Sequence, residues 1–457
     1  MPPGSIHSLL LLFTLALFAA SGGTGGAPAP AFSPEPHSPP PAACPALPPP
    51  TGTIVEVTTV AQLQQAVNNA LPNTTIRLAT GTYNLDGVYL RLDVPGVTLR
   101  SASGKREDVV LDGNYITTEI VQVVASDVTI ADLTLREALY HPIHVMSTAD
   151  RDTLNTLIYN VHIIDPGQQA IKINPVPGGH YTDNGLIACS RIELTDAGRQ
   201  QVWEINDSCY TGGVDAHQAR DWVVRDNVIE GFWCAQGLSE HAIHFWRACR
   251  DTLIERNWLL DNARGVGLGM AEEGQARTYA DNPCPAAGGA YVDHYGGLVR
   301  NNMIFAARAA LFESEYGFDC GICLWQACGA WVGHNTVVST QPPFSGIEWR
   351  FERTDVDLVN NLLSHNLRDR GGAARRSGNL ENQPLSLFVN GAGGDLHLKA
   401  SANGAIDQGT ALGPGLCDDD VDGDARPFGS APDVGADEYV SFVPEATVFV
   451  PYVAFDR

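Results

Sequence analysis

Lys172 is one of three lysines in the chain, with Lys105 and Lys399, and it stands between two isoleucines in QQAIKINPV, residues 168–176. Alternation of that kind sends the lysine to the outer face of a strand. Six other short runs repeat the pattern of apolar and variable positions: HPIHVMS, GGVDAHQ, HAIHFWR, RGVGLGM, CGICLWQ and SGIEWRF. Stacked in register, their variable positions form one outer column of His144, Lys172, Asp215, His244, Gly267, Cys323 and Glu348. A neighbouring column holds Met146, Asn174, His217, Trp246, Gly269, Trp325 and Arg350. Strands of a sheet lie ~4.8 Å apart, so Lys172, Asp215 and His244 on successive coils would make a compact polar cluster. A slip of one residue would scatter it.

These residue types suit proton abstraction beside a carboxylate. Such chemistry needs a base, a positive group to hold the carboxylate and an acid for the leaving oxygen. Lys172 is the expected base, provided that its ammonium can lose a proton. Asp215 beside it opposes that loss, which leaves His217 or His244 as the alternative base. Arg247 or Arg350 would bind the carboxylate, Trp246 and Trp325 would stack on sugar rings, and Asn174 and Glu348 would meet hydroxyl groups. Packing under loops, or a plain Lys172–Asp215 ion pair, is the blander reading of the same residues. Hydrolysis needs two carboxylates ~5–9 Å apart. Asp215 has no second one on the next coil: Glu348 lies several coils away, and Glu204 would approach only through its loop. Elimination therefore ranks above hydrolysis.

The elements that must position this column are short β-branched runs: VTLRSASG, VTIADLTL, LIYNVHII, WVVRDNVI, TLIERNWL, GLVRNNMI, AWVGHNTV and VDLVNNLL. Six carry asparagine at or near one place, Asn160, Asn227, Asn257, Asn302, Asn335 and Asn361, with last intervals of 30, 45, 33 and 26 residues. That is about one coil each, with insertions. The apolar side chains of one turn cannot be buried alone, so turns must stack. Asparagine at a corner tolerates left-handed backbone or joins an internal hydrogen-bond ladder. The pattern predicts an all-β parallel β-helix over 51–400; a β-propeller would need hairpins and blade signatures that the sequence lacks. TTVAQLQQAVNNALPNTTIRLATGTYNL predicts a helix over 60–70 that caps one end and shields its strand edges, then a first strand. Insertions GHYTDNGL, GRQQVWEINDSCYTGG and AEEGQARTYADNPCPAAGGAYVDHYGG would rise beside the outer face as groove walls. Tyr181, Glu204, Asp207, Tyr210 and Arg247 are their contact candidates.

The opening helix followed by I-x-L-x-x-G-x-Y, with the coil pattern behind it, resembles secreted right-handed parallel β-helix proteins of the pectin lyase-like kind over residues 55–400. That family includes pectate and alginate lyase-like enzymes, polysaccharide hydrolases, epimerases and non-enzymatic surface proteins. The resemblance implies a polysaccharide or cell-surface glycan as partner and lyase-like β-elimination on a uronate-containing glycan. A glycoside hydrolase or epimerase, or a non-catalytic glycan-binding or structural surface protein, is the alternative. The calcium ligands and arginines of the family's lyases do not map here residue by residue. AIDQGTALGPGLCDDDVDGDARPFGSAPDVGADEY, residues 405–439, is similar to the closing segment of bacterial surface β-helix proteins with an anchor-associated end, placed here at 401–440.

The chain has 457 residues and a net charge of -24, from 52 acidic and 28 basic residues. That balance argues against nucleic acid as partner and for a soluble monomer. SLLLLFTLALFAASGG reads as a secretion signal over 1–25, with a membrane anchor as the competing reading. A Pro-rich disordered spacer follows over 26–50, and a tail closes the chain at 441–457. Ten cysteines fit an exported, oxidised protein, with Cys189–Cys209 and Cys234–Cys249 as candidate local pairs. Cys320, Cys323 and Cys328 in CGICLWQAC have knuckle-like spacing, but no second Cys-x-x-Cys exists to complete a zinc site. DDDVDGDARPFG offers Asp418, Asp420, Asp422 and Gly423 in EF-hand order, yet position twelve is Gly429 where glutamate is needed. Ca²⁺ is the candidate ion there, and a tight polar turn the simpler expectation.

Overall fold

The computed structural model describes residues 44–274 and 277–440. The expected signal, most of the spacer and the tail lie outside them. Three long parallel sheets of 14, 10 and 10 strands run along one coil, which is a right-handed parallel β-helix. Its inward residues stack in register: Ile143, Ile171, Val214, Ile243, Val266, Ile322 and Ile347 follow one another on successive strands. All are fully buried. Each such side chain contributes about 1.5–3 kcal/mol, but only once its neighbours cover it.

Asparagines form the second internal stack. Asn227, Asn257, Asn302, Asn335, Asn361 and Asn379 make a ladder in which each side-chain oxygen accepts from both the backbone N–H and the amide of the preceding rung. Each amide nitrogen from Asn227 to Asn361 also donates to a carbonyl of the preceding turn. The left-handed backbone falls one residue earlier, at Asp226, Arg256, Asn301, His334 and Asn360. Asn160 belongs to that earlier position and bonds Asp132, so it is a corner residue and not a rung.

Helix α1 (Val60–Asn68) covers the first coil with Leu63, Ala66 and Val67, and Thr59 caps it by accepting the Gln62 N–H. It ends two residues earlier than expected. The segment GRQQVWEIND, expected as a loop wall, is instead helix α2 (Asp196–Asn206), capped by Thr195. Ordered chain begins before Thr51: Tyr159 donates to the Pro45 carbonyl, Arg100 to that of Pro48, and Leu47 packs beside Tyr159 and Ala188.

The cysteine pairs differ from both expected ones. Cys44 joins Cys189, Cys209 joins Cys234, Cys284 joins Cys328 and Cys320 joins Cys323. Cys249 is free because its sulfur lies inside a corner, against the Ala216 and Trp246 carbonyls. Coil position sets these partners, not spacing along the chain.

After the last coil the chain packs on the flank of one sheet. Phe388, Leu396, Leu398, Ala402, Ala405, Val421, Val434 and Ala436 cover Val228, Trp258, Met303 and Phe305. Arg426 ties this segment down through Glu438, His334 and four backbone carbonyls. Asp420 accepts from the N–H groups of Asp422, Asp424 and Glu438, Asp418 from that of Gly415, and Asp422 meets His397. Asp418 and Asp420 are used by the loop itself and Asp422 by His397, so the three do not converge as EF-hand ligands and the segment is a tight polar turn.

Two outcomes follow. Asn302→Ala removes the rung between Asn257 and Asn335 and strands buried amides on one side, so it should cost about 3 kcal/mol in urea denaturation. At His397, burial opposes the charge, but Asp422, Asp437 and Asp395 outweigh it and raise the pKa to about 10. A raised histidine contributes stability fully present below its unfolded pKa of ~6.5 and lost as pH rises through the folded one. His397→Gln should therefore lower Tm below about pH 6.5 and change little above about pH 10.

Candidate functional site

The outer column forms as the sequence predicts. Lys172 pairs in register with His144 and Asp215, Asp215 with His244, His244 with Gly267, Gly267 with Cys323 and Cys323 with Glu348. His217 sits beside Trp246 in the next column. Alternation about inward Ile171, Ile173, Val214 and Ala216 is what presents these groups on one face.

Asp215 is the centre of the cluster. Its Oδ2 accepts from the Lys172 ammonium and its Oδ1 from Trp246 Nε1 at 2.8 Å. His217 Nε2 stands 3.4 Å from Oδ2 and 3.1 Å from Lys172 Nζ. His244 Nδ1 lies 3.7 Å from Oδ1. Burial alone would disfavour the Asp215 carboxylate, yet Lys172, His217 and His244 outweigh it and hold its pKa well below the usual range. Burial lowers the pKa of His217 against the pull of Asp215, so this imidazole is neutral at pH 7. An ammonium only donates, so the 3.1 Å contact leaves the lone pair on Nε2 and the proton on Nδ1.

The column's aromatic and cationic groups divide into two sets. Trp246 is half-buried, packs edge-on to His217 at 4.6 Å and carries the Arg247 guanidinium over its ring at 4.6 Å. Arg247 is held there by Asp293, which accepts its N–H together with those of Met270 and Ala271 and the Tyr291 hydroxyl. The second set is structural. Trp325 is 5% exposed and donates to Glu348, whose oxygens also take Ser345 and Arg370. Trp325 therefore cannot stack on a sugar, and Glu348 has no free oxygen for one. Arg350 lies over Phe351, three coils beyond His244.

The remaining expected contacts are scattered. Asn174 accepts from His144, which is also bonded to Glu119. Tyr181 lies under Arg277 at 3.9 Å. Glu204 is on the exposed face of α2 and bonds Gln200 and Gln201 of the same helix. Asp207 closes that helix in left-handed backbone, and Tyr210 is exposed beyond it. His244 is fully buried with Nε2 on the Gly269 carbonyl, so it cannot touch a substrate and is not the base. Clefts of about 400 and 380 Å³ lie at α1; Arg91, which lines the first, belongs to the same outer column three coils before Lys172.

Sequence reasoning missed Glu240 and His241. Strict alternation sends His241 inward, but two consecutive residues, Ala242 and Ile243, both enter the core. That kink turns His241 outward, with its ring 4.2 Å from that of His244. Gly267 leaves the space: a Cβ there would meet His241 Nε2 at 2.7 Å. The run EHAIH was the available signal.

This fold and face define a parallel β-helix with a polar cluster on one sheet. No protein-family model matches the sequence, and no curated protein matches it significantly. Among solved structures, the chain is similar to pectate lyase Pel9A, with TM-score 0.54, 16% identity, and 82% of this chain and 90% of that one covered. An alginate lyase from Paenibacillus sp. str. FPU-7 gives TM-score 0.49 at 16% identity, covering 71% and 98%. A polygalacturonase from Erwinia carotovora gives 0.41 at 11%, covering 78% and 99%. At these identities the likeness is one of fold.

Asp215→Asn would leave the buried Lys172 ammonium without a counter-charge and should cost about 3–5 kcal/mol by denaturant unfolding at pH 7. Because the Asp215 pKa is depressed, its contribution is present above ~3.8 and fades as pH falls below that, so the variant and the parent should converge in acid.

Proposed function

We propose that this chain is an exported polysaccharide-active protein that cleaves a uronate-containing glycan by β-elimination on the Lys172–Asp215–His217 face. The carrying observation is a neutral imidazole 3.1 Å from a buried ammonium, beside a half-buried indole on one sheet face. The ion pair with Asp215 makes Lys172 the anchor for a substrate carboxylate and not the base. Arg247 adds a second positive group. An incoming carboxylate takes the Lys172 N–H and frees His217 Nε2. That nitrogen removes the proton at C5, the electron pair moves into the carboxylate-stabilised enolate, and the C4–O bond breaks to leave a C4–C5 double bond. The leaving oxygen takes its proton from the His217 imidazolium or from solvent. Trp246, stacked on His244, holds the Arg247 guanidinium over its ring beside the cluster. Four disulfides support export to an oxidising compartment.

A second reading, glycan binding without cleavage, is favoured by the tight Lys172–Asp215 pair, which gives the ammonium a purely structural partner. A panel of uronate polymers, with and without Ca²⁺, separates the two. Elimination should raise the ultraviolet absorbance of the unsaturated product, and His217→Ala should lower the rate by about 10²–10⁴-fold. Glycan retention with no unsaturated product would favour binding. The active base is neutral His217, so kcat/KM should rise with pH along a limb below ~6.5 and flatten by neutrality.

A further inference from the structure

Beside the Lys172–Asp215 cluster lies a second group of donors that the proposed reaction does not use. His244 Nε2 is 3.3 Å from the Gly269 carbonyl, which accepts only, so Nε2 carries the hydrogen and Nδ1 presents a bare lone pair. That lone pair faces the Glu240 Oε2 at 3.4 Å and Asp215 Oδ1 at 3.7 Å. Three electron-rich atoms meet with no donor among them. Next to them the His241 ring is fully buried over Gly267, and neither of its nitrogens has a hydrogen-bond partner among the described residues; the same is true of His244 Nδ1 and Glu240 Oε2. A buried, unpaired polar atom costs ~1–3 kcal/mol, so three imidazole nitrogens and one carboxylate oxygen left unpaired in one place call for a shared partner.

One ligand atom each from Glu240, His241 and His244 lie within 4.8 Å of one another. Tetrahedral zinc with bonds of ~2.1 Å sets its donors ~3.4 Å apart, and the Glu240–His244 separation of 3.4 Å already has that value. We propose that Glu240, His241 and His244 bind a divalent transition-metal ion of the zinc type. Two imidazoles and one carboxylate are a borderline donor set, suited to Zn²⁺ or Co²⁺ and poor for Ca²⁺, which takes six to eight oxygens. The Cys320 and Cys323 sulfurs also come within 4.8 Å of a His241 ligand atom, but joined as a disulfide they offer no thiolate. The site does not depend on the glycan chemistry, since its ligands and its test involve no substrate.

The full chain would be loaded with Zn²⁺, desalted and assayed for bound metal, with Ca²⁺ in parallel and Co²⁺ for visible spectroscopy. The expected result is one zinc per chain, a rise in Tm with Zn²⁺ but not Ca²⁺, and a tetrahedral Co²⁺ spectrum without a sulfur charge-transfer band. Glu240→Gln should weaken zinc retention at least tenfold; its circular dichroism reports whether it folds, and the Co²⁺ spectrum of the parent chain decides the ligand type if it does not. Absence of retained zinc, full retention in a folded Glu240→Gln, a sulfur-to-cobalt band, or equal stabilisation by Ca²⁺ would each overturn the assignment.

Discussion

No coil of this protein can bury its own apolar side chains. Ile171 is covered by Ile143 on one side and Val214 on the other, and each of those needs its own neighbours in turn. The strand register is therefore fixed from within, because a slip would expose a whole inward column. The asparagine ladder adds direction to this constraint. Each rung satisfies a backbone N–H that the left-handed corner before it has turned inward, where water cannot reach.

The outer face inherits that register. A column of outward positions spaced by one strand separation brings together residues far apart in the chain, and the scaffold below keeps them there. This is why Asp215 can gather Lys172, His217 and Trp246 while nearly buried. Burial and charge act in opposite directions in the cluster. Burial penalises the carboxylate, and the cations around it more than compensate; the same burial keeps His217 neutral. One desolvated centre thus holds an anion, its paired ammonium and a neutral imidazole side by side.

The flanks are closed by other means. Disulfides Cys44–Cys189 and Cys284–Cys328 fasten segments that lack a strand partner of their own, and Cys209–Cys234 holds the exit of α2. The closing segment is held by Arg426, a buried guanidinium whose donors are spent on Glu438, His334 and backbone carbonyls. Its acidic loop is shaped by N–H groups, so a run of aspartates that looks like an ion site is a turn.

The sequence alone determined the β-helix, the inward stacks and the outer column from His144 to Glu348, because period two and repeat spacing are local properties that stacking preserves. It also marked the ladder from Asn227 to Asn361, though not that Asn160 belongs to the corner. Tertiary structure decided the rest. Cysteine partners depend on which corners face each other, so Cys189 meets Cys44 and not Cys209. Trp325 and Glu348 sit on the expected face but consume each other's polar groups. His241 turns outward because Ala242 and Ile243 both enter the core, and it finds room only because Gly267, on the next coil, has no side chain. Such outcomes depend on contacts between coils, and alternation along a single strand carries no record of them.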